Sequence, residues 1–336
     1  MSAETPSFGP AWMIGSGMLS RKFLLVAGLL LGGRYGIGQL AAADFDYLMQ
    51  AQKVADDVYA IITPTRSLPD ADNGGWNSNS AFVVTDDGVL LFDTGSSTAI
   101  GHALRQTIAG VTDQPVRWII NSHEHGDHWL GNDAFVASDP EILASQAVAE
   151  MITGNGQRWV SLFDDMTGGI TGNSRVVPPN RPVDQPTTLR LGSLRGELLL
   201  SGGSHSPGDL MLWLPESRVL IAGDVVYSDR MPTTGSGKLR QWITTLERLM
   251  ALQPEVVIPG HGVVTDGAGL ERLHALLSAL WQAVERGIDQ GLADYELLPQ
   301  VLAELAPFED DFPGLEEKLR RDLSHVYLQV EAAAFE

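Results

Sequence analysis

The sequence contains no cysteine, and its 336 residues include only 22 lysines and arginines against 42 aspartates and glutamates. The absence of cysteine excludes disulfide bonds, thiol catalysis and thiolate ligands to a metal. The shortage of basic residues gives a formal net charge of −20, and no basic stripe is visible along the chain. We therefore expect no nucleic-acid partner. We attribute the acidity to solubility rather than to a cationic substrate.

Long apolar runs are absent except near the start of the chain. Two basic residues precede the apolar stretch 23–33, which is shorter than the roughly 20 residues of a membrane span, and small residues follow at 41–43. This order is typical of a secretory signal, with a weak resemblance to a twin-arginine signal. We expect residues 1–43 to be a cleaved leader, which predicts a periplasmic or secreted protein without a stable membrane anchor. An uncleaved leader that anchors the chain is the alternative.

The rest of the composition suits one large globular domain. The hydrophobic content is 44%, enough for a sizeable core, and 36 glycines allow many tight turns. We expect residues 44–290 to form a single catalytic domain. Beyond Gly291 the chain is rich in leucine and glutamate and is interrupted by three prolines. We expect residues 291–336 to form short helices that pack on the main domain or on a second subunit, so a homodimer is an option.

One segment concentrates potential metal ligands. Four of them occupy six consecutive positions: His123, His125, Asp127 and His128. The preceding β-branched and aromatic run 116–120 predicts a buried strand, so the ligands begin where that strand ends. Imidazole and carboxylate groups are ordinary ligands of zinc and its divalent neighbours. A solvated loop with histidines by chance is the alternative, and the density of the motif argues against it.

Three more donors follow predicted strands. His205 lies in a turn rich in glycine and serine, Asp224 follows the apolar run 219–222, and His261 follows the run 255–258. Each alone has an ordinary explanation, such as a surface histidine or a turn aspartate. Their shared position at strand ends, together with the first cluster, predicts one metal-dependent site.

With these motifs the chain resembles the metallo-β-lactamase-fold hydrolase superfamily over roughly residues 58–281. The resemblance implies an α+β fold, a four-layer αββα sandwich, here with a C-terminal helical extension. It also implies two ligand sets. One set is His123, His125 and His205, the other is Asp127, His128 and His261, and Asp224 bridges them. The leader and the motif are similar to a glyoxalase II-like branch and to exported zinc metallohydrolases associated with quinoprotein or sulfur-oxidation systems.

The resemblance implies a binuclear hydrolase in which a hydroxide bridging two divalent ions attacks an ester, thioester, lactone or related small molecule. Zinc is the expected metal, with iron or manganese as alternatives. Asp127 would bind the second ion and would also orient the water or carry a proton to the leaving group. Hydrolysis of β-lactams is the second candidate activity. It is less favoured because an aspartate at the bridging position makes the chain more similar to the thioesterase and general-hydrolase branches than to true β-lactamases.

Two hypotheses from other classes stay open. The first is a dioxygenase acting on persulfides, with a single iron held by His123, His205 and Asp224. The retained donors of the second set argue against it. The other hypothesis is a noncatalytic metal-binding or partner-binding protein, which the complete ligand set disfavours. Metal analysis would separate these hypotheses from the hydrolase.

Hydrophobic periodicity predicts the main elements. Short strands are expected at 58–62, 81–84 and 89–92, with a turn between the last two, and helices at 100–108, 242–249 and 270–284. The stretch 153–186 is low in apolar residues, which predicts a long surface segment.

Four residues have two interpretations each. Asp93 is either a partner of a ligand histidine or the cap of the next helix. Trp76, Trp159 and Phe163 either contact the substrate or pack against the core.

Overall fold

The computed structural model of the protein describes residues 45–335. The expected leader and its cleavage point near Asp44 lie outside the described residues. In the part of the chain that the structure describes, no helix is long and apolar enough to cross a membrane.

The described chain contains twelve strands and six α-helices. In order, the strands are β1 (Gln52–Ala55), β2 (Val58–Ile61), β3 (Ser80–Thr85), β4 (Gly88–Phe92), β5 (Val116–Ile120), β6 (Glu141–Ser145), β7 (Arg181–Val183), β8 (Thr187–Leu191), β9 (Leu194–Leu200), β10 (Leu210–Leu214), β11 (Val219–Tyr227) and β12 (Val256–His261). The α-helices are α1 (Thr98–Ala109), α2 (Gln146–Thr167), α3 (Leu239–Ala251), α4 (Gly267–Asp289), α5 (Asp294–Leu305) and α6 (Leu315–Ala333). Short 3-10 helices cover Gly126–His128, Leu130–Ser138 and Ala306–Phe308.

The strands form two mixed sheets. The first sheet has the order β1-β2-β3-β4-β5-β6-β7, antiparallel up to β4 and parallel from β4 onward. The second has the order β12-β11-β10-β9-β8, and only its β11–β12 pair is parallel. The parallel pairs matter for function, because they bring the carboxyl ends of successive strands to one edge of each sheet.

Side-chain alternation along the strands builds the layers. In β4, Leu90 and Phe92 belong to the apolar cluster shared by the two sheets, whereas Val89 and Leu91 pack with α1 on the opposite face. In β10, Leu212 likewise belongs to the cluster between the sheets. Every residue of β4 and β10 is buried, as expected for strands covered on both faces. The result is two sheets flanked by helices, which confirms the predicted αββα sandwich.

The C-terminal helices share a core with the outer face of the second sheet. Leu297 of α5 and Leu323 of α6 lie in the same apolar cluster as Leu277 of α4 and Trp242 of α3. The helices on either side of residue 290 pack together. The boundary between a catalytic domain and a C-terminal extension at this residue stays a prediction. The expected break of the helical segment at Pro299 is wrong, because α5 continues through this proline.

The prediction of a surface segment over 153–186 is wrong in its first part, which belongs to the helix α2. The buried residues Ile152, Val160 and Phe163 recur on one face of that helix. Gly154 and Gly156 weaken the helical pattern in the sequence, because glycine is a poor helix former. A Cβ on Gly156 would lie 2.7 Å from Val176 and 3.0 Å from Trp129, so close packing requires glycine at that position.

Candidate metal centre

The seven predicted donors converge at one edge of the sandwich. The first cluster follows β5, His205 lies in the loop between β9 and β10, and His261 is the last residue of β12. The edge is tied together by backbone hydrogen bonds, including one of 2.8 Å from Leu210 N to Ser122 O that joins the two sheets. Donors from distant parts of the sequence therefore meet because both sheets end at this place.

Three imidazole nitrogens and one carboxylate form the first group of donors. His123 Nε2 lies 2.9 Å from His125 Nδ1, which lies 3.1 Å from His205 Nε2. Asp224 Oδ2 lies 3.4 Å from His205 Nε2 and 3.8 Å from His123 Nε2. Four donor atoms this close together can bind a single cation.

The second group consists of Asp127, His128 and His261. Asp127 Oδ2 lies 3.6 Å from His128 Nε2 and 3.5 Å from His261 Nε2. Asp224 also reaches this group, with Oδ1 and Oδ2 each 3.3 Å from one of the two imidazole nitrogens. Asp224 therefore lies between the two groups, in the position predicted for a bridging carboxylate.

Hydrogen bonds orient three of the histidines toward the centre. The Nδ1 atom of each lies close to an oxygen: His123 at 2.9 Å from Ser122 Oγ, His128 at 2.8 Å from Asp93 Oδ2, and His261 at 2.7 Å from the carbonyl oxygen of Asn77. Ser122 Oγ can accept, because its own hydrogen goes to Asp93. A histidine that donates from Nδ1 keeps the Nε2 lone pair for a metal, which is the usual arrangement of ligand histidines.

Burial and charge set the protonation of this centre. Burial lowers the pKa of His205 to about 3 and that of His123 well below its ordinary value, so both imidazoles are neutral, as metal ligands must be. Burial opposes charge on His128 as well, but the carboxylates of Asp224 and Asp127 raise its pKa to about 10, so a cation that binds Nε2 must displace a proton from this ring.

The carboxylates of the centre remain ionised. Burial by itself raises the pKa of both Asp127 and Asp224. The charges of nearby histidines, led by His128 for Asp127 and by His261 for Asp224, nevertheless hold both pKa values below the ordinary range. The centre thus presents negative charge to any cation that enters it.

The donor set fits a pair of divalent ions. Among the described residues, His128 Nε2 and Asp224 Oδ1 are buried and have no hydrogen-bond partner. Buried polar atoms without a partner are rare, and a cation bound by both atoms would satisfy them. Nitrogen and carboxylate donors without sulfur suit zinc, iron or manganese.

Sequence reasoning missed two residues that orient the acidic donors. Asn77 Nδ2 donates to Asp127 Oδ2 at 3.1 Å, and Tyr227 donates its hydroxyl hydrogen to Asp224 Oδ2 at 2.5 Å. The sequence offers a signal for Asn77, because it directly follows Trp76 in the loop before β3. Tyr227 was hidden because the strand was expected to end at Asp224, whereas β11 continues through an irregular register to Tyr227.

The structure separates the two interpretations of Asp93 and Trp76. Asp93 bonds to His128, and the cap of α1 is Ser97, whose side chain accepts from Ile100 N. Trp76 is 6% exposed and belongs to the apolar cluster beside α1, so it packs rather than lines the pocket.

A cavity of about 290 Å³ opens onto both groups of donors. Trp159 and Phe163 line the cavity, and they also pack against each other and in an apolar cluster. Each residue therefore combines the two interpretations, contact with the cavity and packing. The ring of Trp159 lies 5.3 Å from that of His125. Two basic residues, Arg230 and Arg321, line the same cavity. No local motif marks Arg230, and the adjacent pair Arg320 and Arg321 by itself predicts only a solvated helix face.

Comparison with known proteins gives one family and several relatives. The family model described as the Metallo-beta-lactamase superfamily matches residues 73–261. The linear primary-alkylsulfatase of Pseudomonas sp. (strain ATCC 19151) is 25% identical over 288 residues, which cover 72% of this chain and 54% of that protein. The chain therefore spans about half the length of this relative. The probable metallo-hydrolase YqgX of Bacillus subtilis (strain 168) is 25% identical over 199 residues, which cover 57% of this chain and 89% of that protein.

Solved structures show the same fold. A metallo-beta-lactamase from Pontibacter korlensis is similar with a TM-score of 0.57 and 21% identity, covering 68% of this chain and 99% of that one. At this identity the likeness bears on the fold alone.

Proposed function

Because the chain belongs to the metallo-beta-lactamase superfamily, we propose that it is a hydrolase that uses two divalent metal ions to cleave an ester, thioester, lactone or related small molecule. The observation that carries this proposal is the position of Asp224. Its two carboxylate oxygens lie 3.3 Å from histidines of the second group, and Oδ2 lies 3.4 Å from His205 of the first. A carboxylate shared by two complete donor groups is the arrangement expected of a binuclear site.

Each residue of the centre has a defined task in this proposal. When bound, two ions would supply an activated water at neutral pH and polarise the bond that breaks. The residues that would hold them are His123, His125 and His205 for one ion, Asp127, His128 and His261 for the other, and Asp224 for both. Zinc is the proposed metal, with iron or manganese as alternatives.

Asp127 is the proposed catalytic carboxylate. It lines the cavity, and its side chain is 11% exposed, so it can contact a substrate as well as the other donors. Asn77 holds its Oδ2 in place at 3.1 Å. We propose that this fixed carboxylate orients the attacking water and passes a proton to the leaving group.

The other candidate activities are weaker. A single-iron dioxygenase would not need Asp127, His128 and His261 as a complete second group. The resemblance to β-lactamases under 25% identity bears on the fold only. The alkylsulfatase relative supports adding sulfate esters to the substrates that are tested.

Location and partners belong to the same proposal. We propose that the leader directs export, that the mature chain begins near Asp44, and that the partner is a small molecule rather than a nucleic acid. The net charge of −20 supports the last point. A homodimer through the C-terminal helices is an option.

The test combines metal analysis with a substrate panel. We expect the purified protein to contain two divalent ions per chain and to hydrolyse at least one of a thioester, a lactone, a β-lactam, a sulfate ester and a phosphodiester. Asp224→Asn should lower the metal content and cut turnover by about 100-fold or more. The matched control is Asp229→Asn, because Asp229 pairs with Arg66 outside the centre. A single iron with no second ion, or an Asp224→Asn variant that keeps both ions and full activity, would refute the binuclear hydrolase.

A further inference from the structure

The cavity beside the metal centre has a basic corner that the proposed hydrolysis leaves unexplained. Arg230 follows β11, Arg321 lies on α6, and both line the cavity. Lys318 lies one helical turn before Arg321, and its buried side chain is close enough for its charge to interact with both arginines. Three cations thus meet in a protein that has nearly twice as many acidic as basic residues.

Arg230 has no anionic partner among the described residues. It is 5% exposed, no carboxylate lies within 4.0 Å of it, and its Nε atom has no hydrogen-bond partner. Its Nη1 atom lies 3.2 Å from His261 Nδ1. That nitrogen cannot accept a hydrogen bond once it donates to the carbonyl oxygen of Asn77 at 2.7 Å. The guanidinium of Arg230 is therefore buried with no acceptor for the hydrogen on Nε or for the hydrogen on Nη1 that faces His261.

The two neighbouring cations do not relieve this excess of positive charge. Within the described chain, Asp322 is the one carboxylate within 4.0 Å of any of the three, at 2.8 Å from Arg321 Nε. Lys318 is 7% exposed, and its Nζ atom has no hydrogen-bond partner. Burial, together with the charges of Arg230 and Arg321, lowers the pKa of Lys318 to about 8. Uncompensated buried charge is costly, so an anion from outside the chain is the natural partner for this corner.

Away from the metal centre and the basic corner, much of the cavity wall is apolar. Trp159, Phe163 and Met166 line it, together with Leu68 and Leu162, which are each 42% exposed. Apolar side chains at the rim of a cavity are typical of a surface that binds an apolar group. A guanidinium binds carboxylate, sulfate and phosphate groups through paired hydrogen bonds.

We propose that the substrate is an amphiphilic anion, with an apolar group against Trp159 and Phe163 and a carboxylate, sulfate or phosphate group held by Arg230 and Arg321. This inference rests on the proposed function, because it takes the cavity over the metal centre as the place where the cleaved bond lies. Arg230 is next to His261, so the anionic group lies beside that bond or forms part of it.

Matched substrates test the proposal on the metal-loaded enzyme. One pair consists of a neutral acyl thioester and a thioester of equal chain length that ends in a carboxylate. A long-chain alkyl sulfate and a phosphodiester are tested as well, because in these substrates the anionic group itself contains the bond that is cleaved. We expect the wild type to prefer the anionic substrates. Arg321→Gln should raise KM for them by roughly tenfold or more, with little change in kcat or in KM for the neutral thioester.

The neighbouring arginine is the matched control. Arg320 lies on the same helix with its side chain 62% exposed and pairs with Glu316, so Arg320→Gln removes the same charge outside the cavity. It should leave the kinetics with both kinds of substrate unchanged. Arg230→Lys keeps the charge but loses the paired donors, and it should also raise KM for the anionic substrates. If that buried variant does not fold, Arg321→Gln decides, because the side chain of Arg321 is 46% exposed.

Failure of this inference is distinguishable from failure of the proposed function. Hydrolysis of the neutral thioester without any preference for the anionic one, unchanged in Arg321→Gln, would overturn the anion site and leave the hydrolase standing. If nothing is hydrolysed, calorimetric titration with decanoate and with decanol replaces kinetics. Binding of decanoate that is weakened about tenfold in Arg321→Gln but not in Arg320→Gln would support the anion site alone. Equal binding of decanoate by wild type and Arg321→Gln would overturn it.

Discussion

At the scale of single residues, the centre depends on a backbone conformation that most side chains avoid. Asp93 has φ +59°, in the left-handed region, and its carboxylate accepts from Ser122 N at 2.7 Å while it holds His128. Aspartate tolerates this region better than most residues, but some strain remains. The strain is explained by orientation, because the carboxylate must reach two partners that follow the neighbouring strand.

Lys318 gives a prediction for stability. Burial and the charges of Arg230 and Arg321 depress its pKa to about 8, although Glu317 and Asp322 act in the opposite direction. The folded state therefore disfavours the protonated lysine, and this penalty is fully present below about pH 8. Lys318→Met should raise the free energy of unfolding by about 2 kcal/mol at pH 7, a gain that shrinks as pH rises toward the ordinary lysine pKa near 10.4.

Urea denaturation across this pH range measures the effect. The control is Lys53→Met, because Lys53 is 54% exposed and pairs with the exposed Asp56. It should change stability by less than about 0.5 kcal/mol. A Lys318→Met variant that is less stable than wild type at pH 7 would show that the buried ammonium stabilises the folded state, contrary to this prediction.

At the scale of elements, α2 has two tasks. Its buried face contributes Val148 and Ile152 to an apolar cluster with Trp129, and its next turns bring Trp159 and Phe163 to the cavity. The position of this helix therefore shapes the site. Gly156 sets that position, because it allows the helix to approach Trp129 closely.

Two glycines of α2 provide a matched pair of variants. Gly156→Ala should destabilise the protein by about 1–2 kcal/mol, because the added methyl group overlaps Val176. Gly154→Ala should stabilise it by about 0.5–1 kcal/mol, because nothing lies within 4 Å of the new methyl group and alanine is the better helix former. Thermal and urea denaturation measure both. If both variants changed the stability by the same amount in the same direction, close packing would not be what requires glycine at position 156.

At the scale of the whole molecule, the metal centre would join the two sheets. Its donors follow β5 in the first sheet and lie in or beside β10, β11 and β12 in the second. Bound ions would therefore stabilise the sandwich as well as serve chemistry. A ligand at a hundredfold excess over its Kd adds about 2.7 kcal/mol to the folded state.

Removal of metal tests this coupling. A chelator should lower the melting temperature of the wild type by about 4 °C for each site that was saturated at this level. Asp224→Asn should melt lower than the wild type before chelation and should respond less to the chelator. A wild-type melting temperature that does not change when the ions are removed would contradict a link between the sheets through metal.

The sequence alone was enough for several conclusions about this protein. The strands at β2 to β5 and the helices α1, α3 and α4 follow from local periodicity, which depends only on neighbouring residues. The seven donors were selected by residue type and by their place after apolar runs, and the structure brings all seven together. Their role as ligands stays a proposal.

Only the tertiary structure decided what surrounds these donors. Tyr227 reaches Asp224 because β11 continues past an irregular register, and Gly156 fits α2 against Trp129, a contact that periodicity does not contain. Arg230 and Arg321 are far apart in the chain, and they line one cavity because α6 packs on the same core as α3 and α4. Contacts of this kind depend on how distant elements pack, and no local pattern in the sequence records them.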